Sequence, residues 1–378
     1  MALIPAALTS TQRNAVARLR LAAQGLLPRI PAATLPVPAA TPADVVAALG
    51  MMQAQDLPQA CWGVGVRLPG AGLGAIHAAL ADGSVIRCWG ARGTLMLIDP
   101  RLHGALLAVT AQRMNAKMAG TRAQEDITEA EIKRLAEVAR ERCAGTGATR
   151  AELLRAFEDS GSSIEGQRGY HLIVAVSLRG VIVQGPMEPG SETRQLFMAA
   201  GSWLPDGGQP PDAGEALATL VRGYFESHGP ATVADCAWWL GLPLTPVRAA
   251  VAALDPVLGS TELGGTTYLF ADQHRERWEQ PPGARSVLAL PGFDEFLLGY
   301  RDRSVALPEE HSQVVTPGKN GIFLRTVAAG GQIVGTWELA GAGTARAGRF
   351  VPFGPEPGEG RARQIAARIE EYLRFRNG

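Results

Sequence analysis

Helical and strand-like patterns of hydrophobic positions follow one another in the same order three times within the first 285 residues. Each time an amphipathic segment precedes a short second helix, a third helix and two strand-like stretches. The second helices have similar sequences: ATPADVVAAL at 40–49, ATRAELLRAF at 148–157 and ATVADCAWWL at 231–240. This order predicts a winged helix, which is a helix-turn-helix with an appended strand pair, three times in tandem.

Each of the three similar sequences contains a threonine three residues before an acidic side chain. The pairs are Thr41 with Asp44, Thr149 with Glu152, and Thr232 with Asp235. This spacing is that of a capping box, in which the hydroxyl accepts a hydrogen bond from a helix N–H and the carboxylate reaches back. We therefore expect each threonine to be the N-cap of an equivalent second helix.

The pattern changes near residue 286. Apolar stretches separated by glycine-rich turns predict strands, and a final amphipathic stretch predicts a closing helix. The stretches are SVLALPGFDEFLLGY from 286, GIFLRTVAAGGQIVGTWEL from 321, RFVPFGP from 349 and GRARQIAARIEEYLRFRNG from 360. The predicted fold is α+β, with three winged helices at 1–110, 111–205 and 206–285 and a β-rich module at 286–378.

Composition limits the classes of function. The net charge is zero, and the chain has 36 basic residues of which only Lys117, Lys133 and Lys319 are lysines. The planar arginine fork suits phosphates and base edges, although an arginine-rich genome would give the same bias. The sequence lacks long apolar runs and a charged N-terminal start, so we expect no membrane partner and a cytoplasmic protein, nucleoid-associated when bound to DNA.

The residues that usually bind metals are scattered. The four cysteines lie far apart, and neither they nor the six histidines show the spacing of a ligand set. We therefore expect no disulfide framework, no metal and no cofactor.

Two glutamines, Gln53 and Gln55, follow the first capped helix, which we expect to end near Met52. If this segment is extended, as Pro58 favours for Leu57, both amides lie on one face. Amides are poor general bases but can orient a water molecule, so they suit a substrate that is already activated. A purine that carries positive charge after alkylation at N7 is one such substrate. The alternative is that both glutamines cap the helix or bind neighbouring carbonyls.

Four motifs lie in a fixed order along nearly the whole chain: QAQD at 53–56, CWGARGTLMLIDP at 88–100, LPGFDEFLLGYRDRS at 290–304 and FLRTVAAGGQIVGTWE at 323–338. Together they resemble the winged-helix DNA glycosylase family that includes AlkZ and YcaQ. The family's catalytic motif is Gln-x-Gln or Gln-x-Asp, and Gln53 and Gln55 match the AlkZ-like form. The neutral charge departs from what a DNA enzyme would suggest.

The resemblance implies a monofunctional, hydrolytic DNA glycosylase that removes alkylated bases from double-stranded DNA. It also implies activity on interstrand crosslinks or bulky adducts, in repair or in self-resistance to a genotoxic natural product. We expect a monomer. An open cleft with the glutamines at its floor would accept a bulky lesion without full extrusion of the base.

Candidate DNA contacts lie in two turns. Arg92 is at the turn of the first predicted hairpin, where contact with a phosphate and an ordinary hairpin arginine are both reasonable. Lys319 and Asn320 lie in the glycine-rich loop TPGKNGIF at 316–323, whose basic and apolar residues would fit a minor groove. An exposed turn without a partner remains the alternative.

Two other functions compete with the glycosylase. Winged helices alone would favour a non-catalytic DNA-binding regulator, which has no need of Gln-x-Gln outside a recognition helix. Asp294 and Glu295 would be the acids of a different hydrolase, but adjacent residues of a strand face opposite ways. With Arg301 and Arg303 nearby, we expect a structural salt-bridge cluster instead.

Overall fold

The computed structural model describes residues 8–27, 39–205, 207–254, 258–318, 321–341 and 347–377. Its helices are α1 (Ser10–Ala23), α2 (Pro42–Leu49), α3 (Leu57–Gly65), α4 (Leu73–Ala81), α5 (His103–Gln124), α6 (Glu129–Arg142), α7 (Arg150–Asp159), α8 (Arg168–Ser177), α9 (Ala200–Trp203), α10 (Ala213–His228), α11 (Val233–Leu240), α12 (Leu244–Ala253), α13 (Glu295–Leu298), α14 (Ser312–Val315) and α15 (Glu359–Asn377). The strands are β1 (Met51–Gln53), β2 (Ile86–Trp89), β3 (Leu95–Ile98), β4 (Ile182–Met187), β5 (Gln195–Ala199), β6 (Leu258–Leu263), β7 (Thr266–Ala271), β8 (Val287–Leu290), β9 (Thr326–Ala329), β10 (Gln332–Ala340) and β11 (Ala347–Pro352).

The chain forms two compact units. Unit 1 comprises Met1–Leu49, Gln59–Ile76 and Val221–Gly378, and unit 2 comprises Gly50–Pro58 and His77–Leu220. The fold mixes helices and strands, as predicted, while the division into four segments stays a prediction. No helix in the part of the chain that the structure describes is both long enough and apolar enough to cross a membrane.

Unit 2 is built on an antiparallel five-stranded sheet in the order β1-β3-β2-β4-β5. The two hairpins β2–β3 and β4–β5 meet where Arg87 of β2 pairs with Gln184 of β4. A core of fully buried side chains on α6, α7 and α8, including Leu135, Phe157 and Leu172, supports the second hairpin. The return strand of that hairpin is β5, with the sequence QLFMA.

Unit 1 contains the two-stranded sheet β6–β7 and the four-stranded sheet β11-β10-β9-β8. Glycines at 330 and 331, both with positive φ, form the two-residue turn between β9 and β10. The closing amphipathic helix is present as α15, and its Tyr372 ring packs edge-on against Trp337 of β10. The strands and helix predicted after residue 286 are therefore confirmed, apart from the segment around Asp294.

The three capping boxes are present. Thr149 and Thr232 are N-caps of α7 and α11, and in each the hydroxyl and the acidic side chain exchange hydrogen bonds with backbone N–H groups. Thr41 Oγ1 likewise accepts from Asp44 N at 3.2 Å, while Asp44 Oδ2 accepts from Thr41 N at 2.9 Å. Local sequence was sufficient to locate these helix starts.

The predicted order of elements is wrong in the first repeat. The helix capped by Thr41, α2, is followed by β1, α3 and α4 before the hairpin, whereas one helix alone separates α7 or α11 from its hairpin, so α2 is not equivalent to them in position. Leu57 was expected to be extended because Pro58 follows it, yet it begins α3. Proline is tolerated in the first turn of a helix, since the N–H that it lacks has no partner there in any case.

An isolated bridge precedes the capped helix in each of the other two repeats. Ala148 pairs with Phe197 of β5 in unit 2, and Ala231 pairs with Leu269 of β7 in unit 1. Both bridges are reciprocal: the alanine N–H donates at 2.9 Å, and the partner N–H donates back at 2.7 Å and 2.8 Å respectively. The two repeats thus share a backbone connection that immediately precedes Thr149 and Thr232.

Candidate active site

The Gln-x-Gln segment is extended, as predicted. Gly50, with φ of 76°, follows α2 in the left-handed conformation common just after a helix end. The helix therefore ends at Leu49, slightly earlier than expected, and β1 pairs with β3 so that Gln53 lies opposite Met96. The backbone N–H of Ala54 continues this pairing by donating to Leu95 O at 2.7 Å.

Alternating burial places both glutamines on one face of the strand. Met52 and Ala54 are almost completely buried, whereas Gln53 is half-buried and Gln55 is exposed. Successive residues of an extended chain point to opposite sides, so the two amides share the outward side. The predicted common face is confirmed.

Each glutamine amide is oriented by a hydrogen-bond donor of the β2–β3 hairpin. Arg92 Nη2 donates to Gln53 Oε1 at 3.2 Å, and the backbone N–H of Leu95 donates to Gln55 Oε1 at 3.2 Å. A guanidinium and a peptide N–H can only donate, so the atom they contact on each amide must be its carbonyl oxygen. An amide oxygen is a group that can hold a water molecule or face positive charge.

Arg92 has a strained backbone. It lies in the 3₁₀ turn Ala91–Gly93 between β2 and β3, with φ of 61° and ψ of 2°. A non-glycine residue in this region costs of order 1–3 kcal/mol and is held there by its surroundings. Arg92 lies in the hairpin turn, as predicted from the sequence, whereas its contact with Gln53 was not predicted. A contact with DNA phosphate stays a prediction.

A buried arginine supports the motif from β2. Arg87 is only 7% exposed, and its Nε donates to Ala54 O at 2.8 Å while Nη2 donates to Gln55 O at 3.2 Å. Its Nη1 donates to two glutamines of the second hairpin, Gln184 Oε1 at 2.9 Å and Gln195 Oε1 at 3.3 Å. Arg87 was not among the residues predicted from the sequence. The available signal was an arginine within the short apolar strand Ile86–Trp89, whose residues are all buried.

Burial also determines the protonation state of the Cys88 thiol, which follows Arg87 on β2. Cys88 is paired with Met96 across β2 and β3, and desolvation raises its pKa to about 12. The thiol therefore stays protonated at neutral pH and is a poor nucleophile. Cys61, Cys88, Cys143 and Cys236 are all buried thiols that form no disulfide.

Asp294 and Glu295 are embedded in unit 1, but not as expected. Asp294 is the N-cap of the short helix α13 rather than part of a strand, and it forms an ion pair with Arg67 at 2.8 Å. Glu295 Oε2 accepts from Trp239 Nε1 at 3.0 Å. Asp294 therefore belongs to a buried ion pair, as expected of a structural residue, and its partner Arg67 was not indicated by the sequence. The strand prediction failed because a single helical turn with three apolar residues, Phe296, Leu297 and Leu298, cannot be told from a buried strand by its sequence.

The remaining predicted contacts can be placed only in part. Lys319 and Asn320 lie outside the described residues, so their roles stay predictions. Ile322 and Leu324, which follow them, are 46% and 38% exposed. Within the described ranges, no group of three His, Cys, Asp or Glu side chains is arranged to hold a metal ion.

Comparisons with known proteins agree on one kind of enzyme. A sequence model of the family described as DNA glycosylase AlkZ-like matches residues 46–375. A curated relative, the interstrand DNA cross-link repair glycosylase of Streptomyces sahachiroi, is 27% identical over 308 residues, which span 78% of this chain and 81% of the relative. The solved structure of the S. sahachiroi DNA glycosylase AlkZ is similar with a TM-score of 0.80 and 24% identity, covering 96% of this chain and 97% of that one.

Proposed function

Because the chain belongs to the AlkZ-like DNA glycosylase family, we propose that it hydrolyses the N-glycosidic bond of N7-alkylated purines in duplex DNA. The observation that carries this proposal is the pair of amides on the outward face of the segment that contains β1. In each amide the oxygen is fixed by a donor of the hairpin. We assign Gln53 and Gln55 as the catalytic residues.

The chemistry fits groups that do not ionise. Alkylation at N7 gives the purine a positive charge, so the base leaves as a neutral molecule and needs no general acid. The bond between the sugar carbon and N9 breaks with its electron pair going to the base, and positive charge develops on the sugar. Amide oxygens facing the sugar stabilise that charge, because the negative end of each dipole is already oriented.

An amide oxygen can accept a hydrogen bond from the attacking water. This places the water oxygen towards the sugar carbon, where it forms the new bond and releases its proton to solvent. Positioning can supply a large part of the rate enhancement when the substrate is already activated. Gln53, held by Arg92, and Gln55, held by Leu95, are suited to this orienting role.

The helix-and-hairpin groups support a finer proposal about architecture. We infer that the chain contains three tandem winged helices. Their core elements are β1-α3-α4-β2-β3 in the first, the Ala148 bridge with α7-α8-β4-β5 in the second, and the Ala231 bridge with α11-α12-β6-β7 in the third. The backbone segment before α3, α7 or α11 contacts the return strand of its own hairpin in all three groups. Winged helices present a helix and a hairpin to DNA, which would bring Arg92 at the tip of the first hairpin near a phosphate.

We also propose that interstrand crosslinks and bulky adducts are among the substrates, since the S. sahachiroi relative is named for interstrand cross-link repair. Defined duplexes test the proposal. One set would carry a single N7-methylguanine, a second a bulky N7 adduct and a third an N7–N7 crosslink, with release of free base measured for each.

The protein should release N7-alkylated base and leave an abasic site. Binding to every duplex without release from any of them would instead support a DNA-binding regulator. Release from the small lesion but not from the crosslink would limit the activity to simple alkylation damage.

A further inference from the structure

Arg87 occupies an unusual place in the fold when the three repeats are compared. In the second and third repeats, the alanine before the capped helix exchanges two backbone hydrogen bonds with the return strand. Ala148 does so with Phe197, and Ala231 does so with Leu269. These two bridges show what the same connection looks like in repeats without the Gln-x-Gln motif.

In the first repeat the corresponding residue is Ala54, which precedes α3 rather than the capped helix α2, and only half of that exchange is present. Ala54 N–H donates to Leu95 O at 2.7 Å, as the other alanines do to their partners. The return bond is different, because Leu95 N–H donates to the side-chain oxygen of Gln55 at 3.2 Å. Ala54 O accepts instead from Arg87 Nε at 2.8 Å. The return hydrogen bond of the bridge is therefore replaced by two bonds, one from Arg87 to Ala54 O and one from Leu95 N–H to the Gln55 side chain.

We propose that Arg87 is a positioning residue that opens this bridge and thereby fixes Gln55 for catalysis, an inference that rests on the proposed function. By satisfying the carbonyl of Ala54, Arg87 leaves the N–H of Leu95 available to hold the Gln55 amide. Its second contact, from Nη2 to Gln55 O at 3.2 Å, fixes the backbone that carries the same side chain.

The guanidinium is itself held in a defined orientation. Burying a charged side chain is costly unless its donors are satisfied, and arginine has five in a rigid fork. Gln184 and Gln195 accept from Nη1, and Gln195 Nε2 donates to Gly185 O at 2.7 Å, which turns its oxygen towards Arg87. The β4–β5 hairpin therefore fixes the orientation of the Arg87 guanidinium, and the guanidinium fixes the backbone of Ala54 and Gln55.

Lysine cannot replace Arg87 in this arrangement. Its ammonium is a single point of donation at the end of a flexible chain, whereas Arg87 reaches two backbone carbonyls and two amide oxygens at once. We expect Arg87→Met to let Leu95 N–H return to Ala54 O, as in the other repeats, and to release the Gln55 side chain. A misplacement of about 1 Å can cost roughly a hundredfold in rate.

The activity test uses single-turnover release of base from a duplex that carries one N7-methylguanine, with enzyme at saturating concentration. Arg87→Met should slow release roughly ten- to hundredfold, with duplex affinity unchanged within a few-fold, and Arg87→Lys should be intermediate. Arg168→Met is the matched control. Arg168 also lies in unit 2 and donates to two backbone carbonyls, those of Glu125 at 2.9 Å and Ser163 at 2.6 Å. It should retain nearly the wild-type rate.

A double-mutant cycle separates positioning from general stability. If Arg87 acts through Gln55, adding Arg87→Met to Gln55→Ala should slow release by no more than about threefold beyond Gln55→Ala. If the fold-reduction in the double variant equals the product of the two single fold-reductions, the proposal is overturned. A wild-type release rate for Arg87→Met together with a reduced rate for Gln55→Ala would also overturn it. If Arg87→Met does not fold, the cycle is run with Arg87→Lys.

A crystal structure of Arg87→Met tests the same inference without any activity. Leu95 N–H should then donate to Ala54 O. An unchanged contact between Leu95 N–H and Gln55 Oε1 would overturn the inference whatever the enzyme releases. Absence of base release by the wild-type protein would count against the proposed function instead, and the structural result would still decide the role of Arg87.

Discussion

Replacing Asp294 by asparagine tests whether the acidic pair of unit 1 is structural or catalytic. The Asp294 and Arg67 side chains are 2% and 1% exposed, so their ion pair is almost completely removed from solvent. Both carboxylate oxygens accept from Arg67, at 2.8 Å and 3.0 Å, and Oδ1 also accepts from Phe296 N at 2.9 Å. Asparagine keeps the shape but offers one oxygen in place of two, and its NH₂ group would face a guanidinium N–H.

The expected loss follows from the charge that is left behind. Removing one partner of a buried ion pair typically costs 3–5 kcal/mol, because the remaining charge stays buried without compensation. Arg67 keeps contacts with Gln24 O at 2.9 Å and Gly63 O at 2.8 Å, and asparagine retains one acceptor. We therefore expect the lower end of that range, about 3 kcal/mol in the free energy of unfolding.

Urea denaturation measures this loss, with Glu310→Gln as a charge-matched control because Glu310 is exposed. At a slope of about 3 kcal/mol per molar, the midpoint should fall by roughly 1 M for Asp294→Asn and hardly at all for the control. Folded Asp294→Asn should release base within a few-fold of the wild-type rate. A loss below about 1 kcal/mol together with abolished release would refute this reasoning and favour an acid in catalysis.

Three further outcomes are expected. Thr149→Ala and Thr232→Ala should each lower the free energy of unfolding by about 1 kcal/mol, measured by urea denaturation, because each removes the hydroxyl of a capping box. His103 is fully buried, which lowers its pKa to about 4. Since the unfolded histidine binds its proton near pH 6.5, the contribution of neutral His103 to the free energy of unfolding should be complete above that pH and fall by roughly 3 kcal/mol towards pH 4. In denaturation measured at a series of pH values, His103→Met should remove this part of the loss of stability in acid. In a salt titration of DNA binding, log affinity should fall by about 0.9 per phosphate contacted, and Lys319→Glu should lower both affinity and slope; identical values would exclude its loop from the interface.

Local features of the sequence were sufficient for much of the fold. A capping box depends on residues three positions apart, so Thr149 and Thr232 could be assigned without tertiary information. The common face of Gln53 and Gln55 follows from alternation along one extended segment. The β-rich pattern after residue 286 likewise depends on short-range periodicity and glycine turns.

The support of the candidate site could not be predicted in the same way. Arg87 contacts Gln184 and Gln195, which are 97 and 108 positions away, and these contacts exist only because β2 lies beside β4. Local signals also failed where two principles compete. Pro58 disfavours a helical conformation of the residue before it, but proline is also tolerated in the first turn of a helix. The second effect prevails in α3.

The most direct test of the account is the single-turnover rate of Gln53→Ala and Gln55→Ala on a duplex that carries an N7-alkylguanine. Each substitution should reduce base release roughly tenfold or more, equivalent to about 1.4 kcal/mol in the barrier, and leave duplex affinity within a few-fold. Wild-type release rates in both variants would contradict the claim that this pair of amides is catalytic.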